Sequence, residues 1–385
     1  MEWTRHDYDA EKTLRIFTFI CLFFLIAFFA FRSYELAAVL TFIGAVIVLQ
    51  RLYARKVGNA LVFHNNTKRS RLVAGAEGAW VLTFSNGGLP IWGGRLKIIF
   101  HDAVIPVTEG ETLHGGFQEV EMPFSISAKQ KLTIKVPVHA SHRGLARITK
   151  LEIIVPHLFG EEQIVLEYNP MIRQEQLVYP KQGKEPFRMI AAPQKPGVSD
   201  IRHSLFTDAF QPVGTRDYVS GDQFAHIHWK ASARAGIYQT KVFATVADES
   251  RLFCLDVTVG RGITIGLEER VEQLAGLVTE CYKKQIPFAV AINIRSAGKV
   301  PFLYIPSGEG TQHHQRTMEL LAVLPRSAAT MPIEAMLAFL DSHMELPASV
   351  YFLSDQSQDD SVFVKKWGRR VPLFALDKPK GRESA

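Results

Sequence analysis

Residues 14–31 read LRIFTFICLFFLIAFFAF, with Arg15 and Thr18 as the only polar interruptions. As a helix this run rises roughly 27 Å, close to the hydrocarbon thickness of a bilayer. A polar break, Arg32-Ser33-Tyr34-Glu35, separates it from a second run, Leu36 to Leu49 (LAAVLTFIGAVIVL), beyond which stand Gln50, Arg51 and Arg55. The pair is expected to form a transmembrane helical hairpin within residues 1–56. A secretory signal peptide fits less well, because no small-residue cleavage site follows the first run and a second apolar run does. Arg5, Lys12 and Arg15 flank the first run, Arg51, Arg55 and Lys56 follow the second, and the connecting loop carries only Arg32. The positive-inside rule then places both termini in the cytoplasm.

The rest of the 385 residues, in a chain that is 47% hydrophobic, is long and apolar enough for two folded domains. The net charge of +6 is a mild excess, which suits a solvated surface with some bias toward anionic lipid. Nucleic-acid binding would need basic residues clustered on one face with aromatics among them, and the sequence has no such cluster. Cys21, Cys254 and Cys281 form no C-x-x-C pair, so neither a disulfide framework nor a zinc site follows from them.

Residues 57–180 are expected to form a β-sandwich. Leu132, Ile134, Val136 and Val138 alternate with Lys131, Thr133 and Lys135, the period of a half-buried strand, and Pro137 suggests an edge position. Trp80, Leu82 and Phe84 alternate in the same way, as do Leu96, Ile98 and Phe100, with glycine pairs marking the turns. Residues 181–245, with Pro193 and Pro196-Gly197, read as a linker followed by a dense polar segment. Residues 246–385 switch to alternating strand and helix. Leu252 to Leu255, Phe288 to Ile292, Val350 to Leu353 and Val371 to Leu376 read as buried strands. Leu267, Val271, Leu274, Val278 and Cys281 recur at helical spacing. This alternation predicts a parallel sheet covered by helices on both faces.

Asp256 and Asp355 stand at the C-terminal ends of two predicted strands, the edge at which open α/β sheets bind ligands. Thr258, two residues after Asp256, points the same way in an extended segment. Oxygen ligands of this kind suit Mg²⁺ or Ca²⁺, although Asp is equally a capping residue, and both readings stand at this point. His226 and His228 lack the further ligands a zinc site needs, and Ser220 and Ser232 lack the context of an activated nucleophile.

Arg216-Asp217-Tyr218, then Gly221-Asp222, then Ile227-His228-Trp229-Lys230-Ala231-Ser232-Ala233-Arg234 resembles the signature of the domain of unknown function 58 family. Weaker similarity covers the apolar runs, the sandwich region, His142-Arg143-Gly144 and Val178-Tyr179-Pro180. The resemblance implies a bacterial membrane protein with a Rossmann-like domain of the von Willebrand factor A type. Domains of that type hold metal through a D-x-S-x-S motif, a later Thr and a later Asp. Asp256, Thr258 and Asp355 correspond to parts of that set, with Gly260 replacing the second serine and no position matching the later Thr. The resemblance further implies a non-enzymatic adaptor or assembly factor acting with a MoxR-type AAA+ ATPase and other membrane proteins. An envelope scaffold and a metal-dependent membrane hydrolase are the alternatives. In the signature segment an ion-pair network of Arg216, Asp222 and Arg234 is expected, with Trp229 as its apolar anchor.

Overall fold

Trp80, Leu82, Phe84, Leu96, Ile98 and Phe100 all turn inward from their strands and are at most 2% exposed. They belong to two sheets that share one apolar core. The computed structural model describes residues 2–7, 19, 23–24, 26, 34–107, 111–113, 115–156, 163–183, 195–200, 207–259, 262–354 and 361–375. The chain divides into two units, Met1–Pro180 and Lys181–Ala385.

In the first unit, the strands Leu61–Phe63, Glu77–Asn86, Gln130–Ala140 and Val104–Pro106 form one sheet in that spatial order. Gln130–Ala140 therefore has a neighbour on each side. Pro137 is tolerated because the short strand Val104–Pro106 pairs only with residues 138–140, so the missing N–H interrupts no ladder there. The facing sheet is built around Ile91–His101 and Gly144–Pro156, antiparallel to each other. Its edge is a strand that lies before the apolar runs in the chain: Trp3–Asp7 pairs antiparallel with Gln163–Tyr168, and the Trp3 ring meets Tyr168 edge-on at 5.1 Å.

The helix Tyr34–Lys56 leads into the sandwich. Its last turn is fastened there: Tyr53 and Ala54 pack against the core, the Tyr53 hydroxyl donates to the Pro90 carbonyl at 2.9 Å, and Arg5 donates to the Ala54 carbonyl. Before that turn, Val39, Phe42, Val48 and Leu49 are each at least half exposed. The stretch Ala38–Lys56 is long and apolar enough to cross a membrane.

The second unit begins with a three-stranded antiparallel sheet, Lys195–Asp200, Gln239–Asp248 and Thr207–Asp217 in that order, within the stretch read as linker and signature. Beyond it lies a five-stranded sheet in the order Phe302–Gly308, Phe288–Arg295, Arg251–Leu255, Ser349–Leu353, Leu373–Ala375. Met336, Leu337 and Leu340 of the helix Ile333–His343 and Trp367 of the helix Val362–Gly368 pack with Leu252, Cys254, Val350 and Phe352. The helix Leu267–Lys284 contacts the central strand Arg251–Leu255 and the helix Gly310–Ala322.

The expected fold class needs correction on two counts. One helix, not two, is long and apolar enough to span a membrane among the described residues, and most of Leu14 to Phe31 lies outside them. The C-terminal sheet is mixed, not parallel throughout: Phe302–Gly308 follows Phe288–Arg295 after a short loop and runs antiparallel to it, as a hairpin connection requires. The chain as a whole is mostly β-sheet with a mixed α/β part, and this architecture does not carry the von Willebrand factor A-type Rossmann assignment.

Candidate functional site

Two groups of residues concentrate the polar chemistry of the second unit. The first is at the C-terminal ends of the two parallel strands Arg251–Leu255 and Phe288–Arg295. Their register pairs Leu255 with Ile292, so the next residues along, Asp256 and Asn293, come together. Asp256 is 6% exposed and Asn293 fully buried. The Asn293 amino group donates to Asp256 Oδ1 at 2.6 Å and to Thr258 Oγ1 at 2.8 Å, and also faces the Met331 carbonyl at 3.2 Å. Asn293 Oδ1 in turn accepts from the Val257 N–H at 2.8 Å. Asp256 Oδ1 also accepts from the Thr258 N–H at 3.0 Å, and Oδ2 accepts from the Ser354 hydroxyl at 3.1 Å.

This arrangement tests the fit of the site to Mg²⁺. An ion bound by Asp256 and Thr258 would sit roughly 2.1 Å from both oxygens. The Asn293 amino group stands between those same two atoms, and Ser354 takes the other carboxylate oxygen. Among the described residues the site is a hydrogen-bonded capping cluster, in which the atoms that would hold Mg²⁺ are engaged by Asn293 and Ser354. Asp355 lies outside the described residues. Among the described residues, no group of three or more His, Cys, Asp or Glu side chains could hold a metal ion. Sequence reasoning missed Asn293. Its signal was a lone amide closing the apolar run Phe288 to Ile292, one step beyond a strand pair whose register was not yet known.

The second group is the signature segment. Asp222 is its tie point. Oδ1 accepts from Arg216 Nη2 at 2.6 Å, while Oδ2 accepts from the Val219 N–H at 3.1 Å and the Thr240 hydroxyl at 3.0 Å. One carboxylate thus links the end of one strand, the turn and the start of the returning strand. The Arg216 guanidinium and these donors hold its pKa down to about 2. Gly221, with φ of +114°, occupies backbone that a side chain would strain, so the turn before Asp222 needs glycine. Asp217 accepts from the Gln239 amide at 2.5 Å. The short helix Trp229–Ala235 is capped by His228, whose Nδ1 accepts from the Ala231 N–H at 3.1 Å, and ends at Gly236 in the left-handed region. The Ser232 hydroxyl accepts from the Gln239 N–H at 2.8 Å, which ties the helix to the strand.

The expected network forms only in part. Arg216 and Asp222 pair, but Arg234 has no ion-pair partner among the described residues. Trp229 is not a buried anchor: it is 60% exposed, because the helix it opens lies on the surface of the hairpin. Its ring meets Tyr238, Tyr238 meets Tyr218, and Tyr218 meets Phe224, each within 6.4 Å. Phe224 and Tyr238 are also more than half exposed, as are Val219 and Ile237. An ordered hairpin therefore presents a chain of aromatic rings to solvent. Beside it, an open depression of the surface is lined by Lys230, Arg234, His228 and Thr215 among others.

Fold and site together define a β-rich chain of two units, bearing, among the described residues, one helix long and apolar enough to cross a membrane, and a solvent-facing aromatic hairpin. Residues 214–376 match the model of the family described as "Protein of unknown function DUF58", which supports that family for this part of the chain. No curated protein matches the chain. Similar solved structures include the C-terminal domain of wzt, at 12% identity and a TM-score of 0.21 over 31% of this chain and 74% of that one. A third ScaB cohesin of R. flavefaciens, solved in complex with a group 1 dockerin, gives 11% and 0.19 over 32% and 97%. A GH20 exo beta-N-acetylglucosaminidase from Vibrio harveyi gives 9% and 0.19 over 81% and 71%. At these scores none of them informs the function of this chain.

Proposed function

We propose that this protein is a membrane-anchored adaptor, not an enzyme, whose folded units face the cytoplasm and which acts with a MoxR-type AAA+ ATPase. The observation that carries the reading is the aromatic chain Phe224–Tyr218–Tyr238–Trp229, held in place by Asp222 and exposed to solvent. A contiguous apolar surface kept rigid but uncovered suits a partner protein, since Trp and Tyr give large contact area at low entropic cost. Membrane anchorage is supported by the helix Tyr34–Lys56. Its basic last turn, Arg55 and Lys56, favours the cytoplasmic side for that end. The Asp256–Asn293 cluster serves in this reading as a scaffold for the sheet edge and not as a reaction centre.

The test is capture of the ATPase from solubilised native membranes by the tagged full chain, with a Trp229→Ala, Tyr238→Ala double variant alongside. Wild type should retain the ATPase and the double variant should lose it. Equal capture by both would remove the adaptor reading. Protease accessibility of the second unit from outside intact cells would remove its cytoplasmic placement.

A further inference from the structure

The aromatic chain and the adjoining depression share one helix, Trp229–Ala235, and together they carry a charge signature. Two carboxylates of the hairpin, Asp222 and Asp217, are hydrogen-bonded within it. Asp222 is bound by Arg216, Thr240 and the Val219 N–H, and Asp217 by Gln239. Lys230 and Arg234 both line the depression, both are exposed, and neither has a carboxylate partner among the described residues. The surface therefore offers apolar rings beside an open depression that carries two cations without an ion-pair partner among the described residues. His228 adds a polar wall. Its Nδ1 accepts from the Ala231 N–H, which leaves the ring proton on Nε2 as a donor.

We propose that this surface docks an acidic segment of a partner protein. Aliphatic or aromatic side chains of that segment would cover Trp229 and Tyr238, and one of its carboxylates would enter the pocket between Lys230 and Arg234. The inference rests on the adaptor reading and names the chemistry of its partner. An arginine presents a planar fork that matches a carboxylate, and a neighbouring lysine adds a point charge, so a pocket with both selects an anion of that size.

The experiment uses the detergent-solubilised full chain and a short fluorescent peptide of alternating Glu and Leu. A matching peptide of Lys and Leu and vesicles of phosphatidylserine serve as the other arms. The acidic peptide should bind, the basic peptide should not, and Lys230→Glu with Arg234→Glu should weaken binding by about tenfold or more, as for charge reversal at an interface. Lys230→Arg with Arg234→Lys, which keeps the charge, should retain most of the affinity and shows that the fold survives. Equal binding of both peptides, or indifference to the charge reversal, overturns the proposal, and so does tighter binding to the vesicles than to the peptide. The two readings fail separately. If the ring double variant loses ATPase capture while the charge reversal keeps it, the adaptor stands and the acidic segment falls. If the peptide discrimination holds but neither variant alters ATPase capture, the pocket chemistry stands and the adaptor falls.

Discussion

The Asn293 amide donates to the Asp256 carboxylate across 2.6 Å, from the end of one parallel strand to the end of its neighbour. Both groups are buried, and the contact adds to the bonds that the Thr258 N–H and the Ser354 hydroxyl give the same carboxylate. An amino group placed between the Asp256 and Thr258 oxygens bridges them as a hydrogen-bond donor.

Wild-type protein should therefore show the same melting temperature in chelator as in excess Mg²⁺. Asn293→Ala removes one donor from Asp256 and the acceptor of the buried Val257 N–H, and should cost on the order of 1–3 kcal/mol. Asn293→Asp sets two carboxylates against each other; its melting temperature should fall in chelator and recover in Mg²⁺. A rise of the wild-type melting temperature with Mg²⁺ would show that an ion displaces Asn293, and would restore the metal site.

Asp222 makes the stability of the hairpin pH-dependent. Its pKa is about 2 in the folded chain against 3.8 for an ordinary Asp. A carboxylate shifted down in this way stabilises the fold above its unfolded pKa, and that contribution is lost as pH falls from 3.8 through about 2. Asp222→Asn should lower the melting temperature at neutral pH, and the gap to wild type should close toward pH 2. A gap that stays constant across this range would mean that the Arg216 pairing contributes nothing.

Trp367 is fully buried against Phe352, and its indole N–H donates to Asp341 at 2.9 Å. Trp367→Ala should destabilise the second unit by roughly 3–5 kcal/mol, through the cavity it leaves and the lost hydrogen bond. Trp229→Ala, at an exposed ring, should stay within about 0.5 kcal/mol of wild type. Denaturant titration of the two variants checks the contrast; similar losses would contradict the surface placement of Trp229.

Cys254 and Cys281 are fully buried, and burial pushes the Cys281 thiol up to about 12 and the Cys254 thiol upward as well. Neither thiolate is present at neutral pH, so both should resist alkylation in the native protein and react fully after denaturation. Rapid native labelling, read by mass spectrometry on each peptide, would show that the central strand opens for Cys254 or that the helix Leu267–Lys284 lifts for Cys281.

Much of this molecule was readable as periodicity. The two-residue alternation at Trp80, Leu82 and Phe84 and the helical spacing from Leu267 to Cys281 are local patterns, and local sterics with the hydrophobic effect turn them into strands and a helix with the expected buried faces. Asp256 could be placed at a strand end for the same reason. What the sequence could not determine is partnership at a distance. Trp3–Asp7 joins a sheet whose neighbouring strand lies more than 150 residues away, Phe302–Gly308 reverses direction at the sheet edge, and Asn293 meets Asp256 only because two strands align in one register. Whether Trp229 is buried or displayed likewise depends on which surface of the hairpin its helix occupies. Backbone and side-chain preferences act over a few residues. Register, strand order and exposure come from the packing of the whole chain, and only the tertiary structure records them.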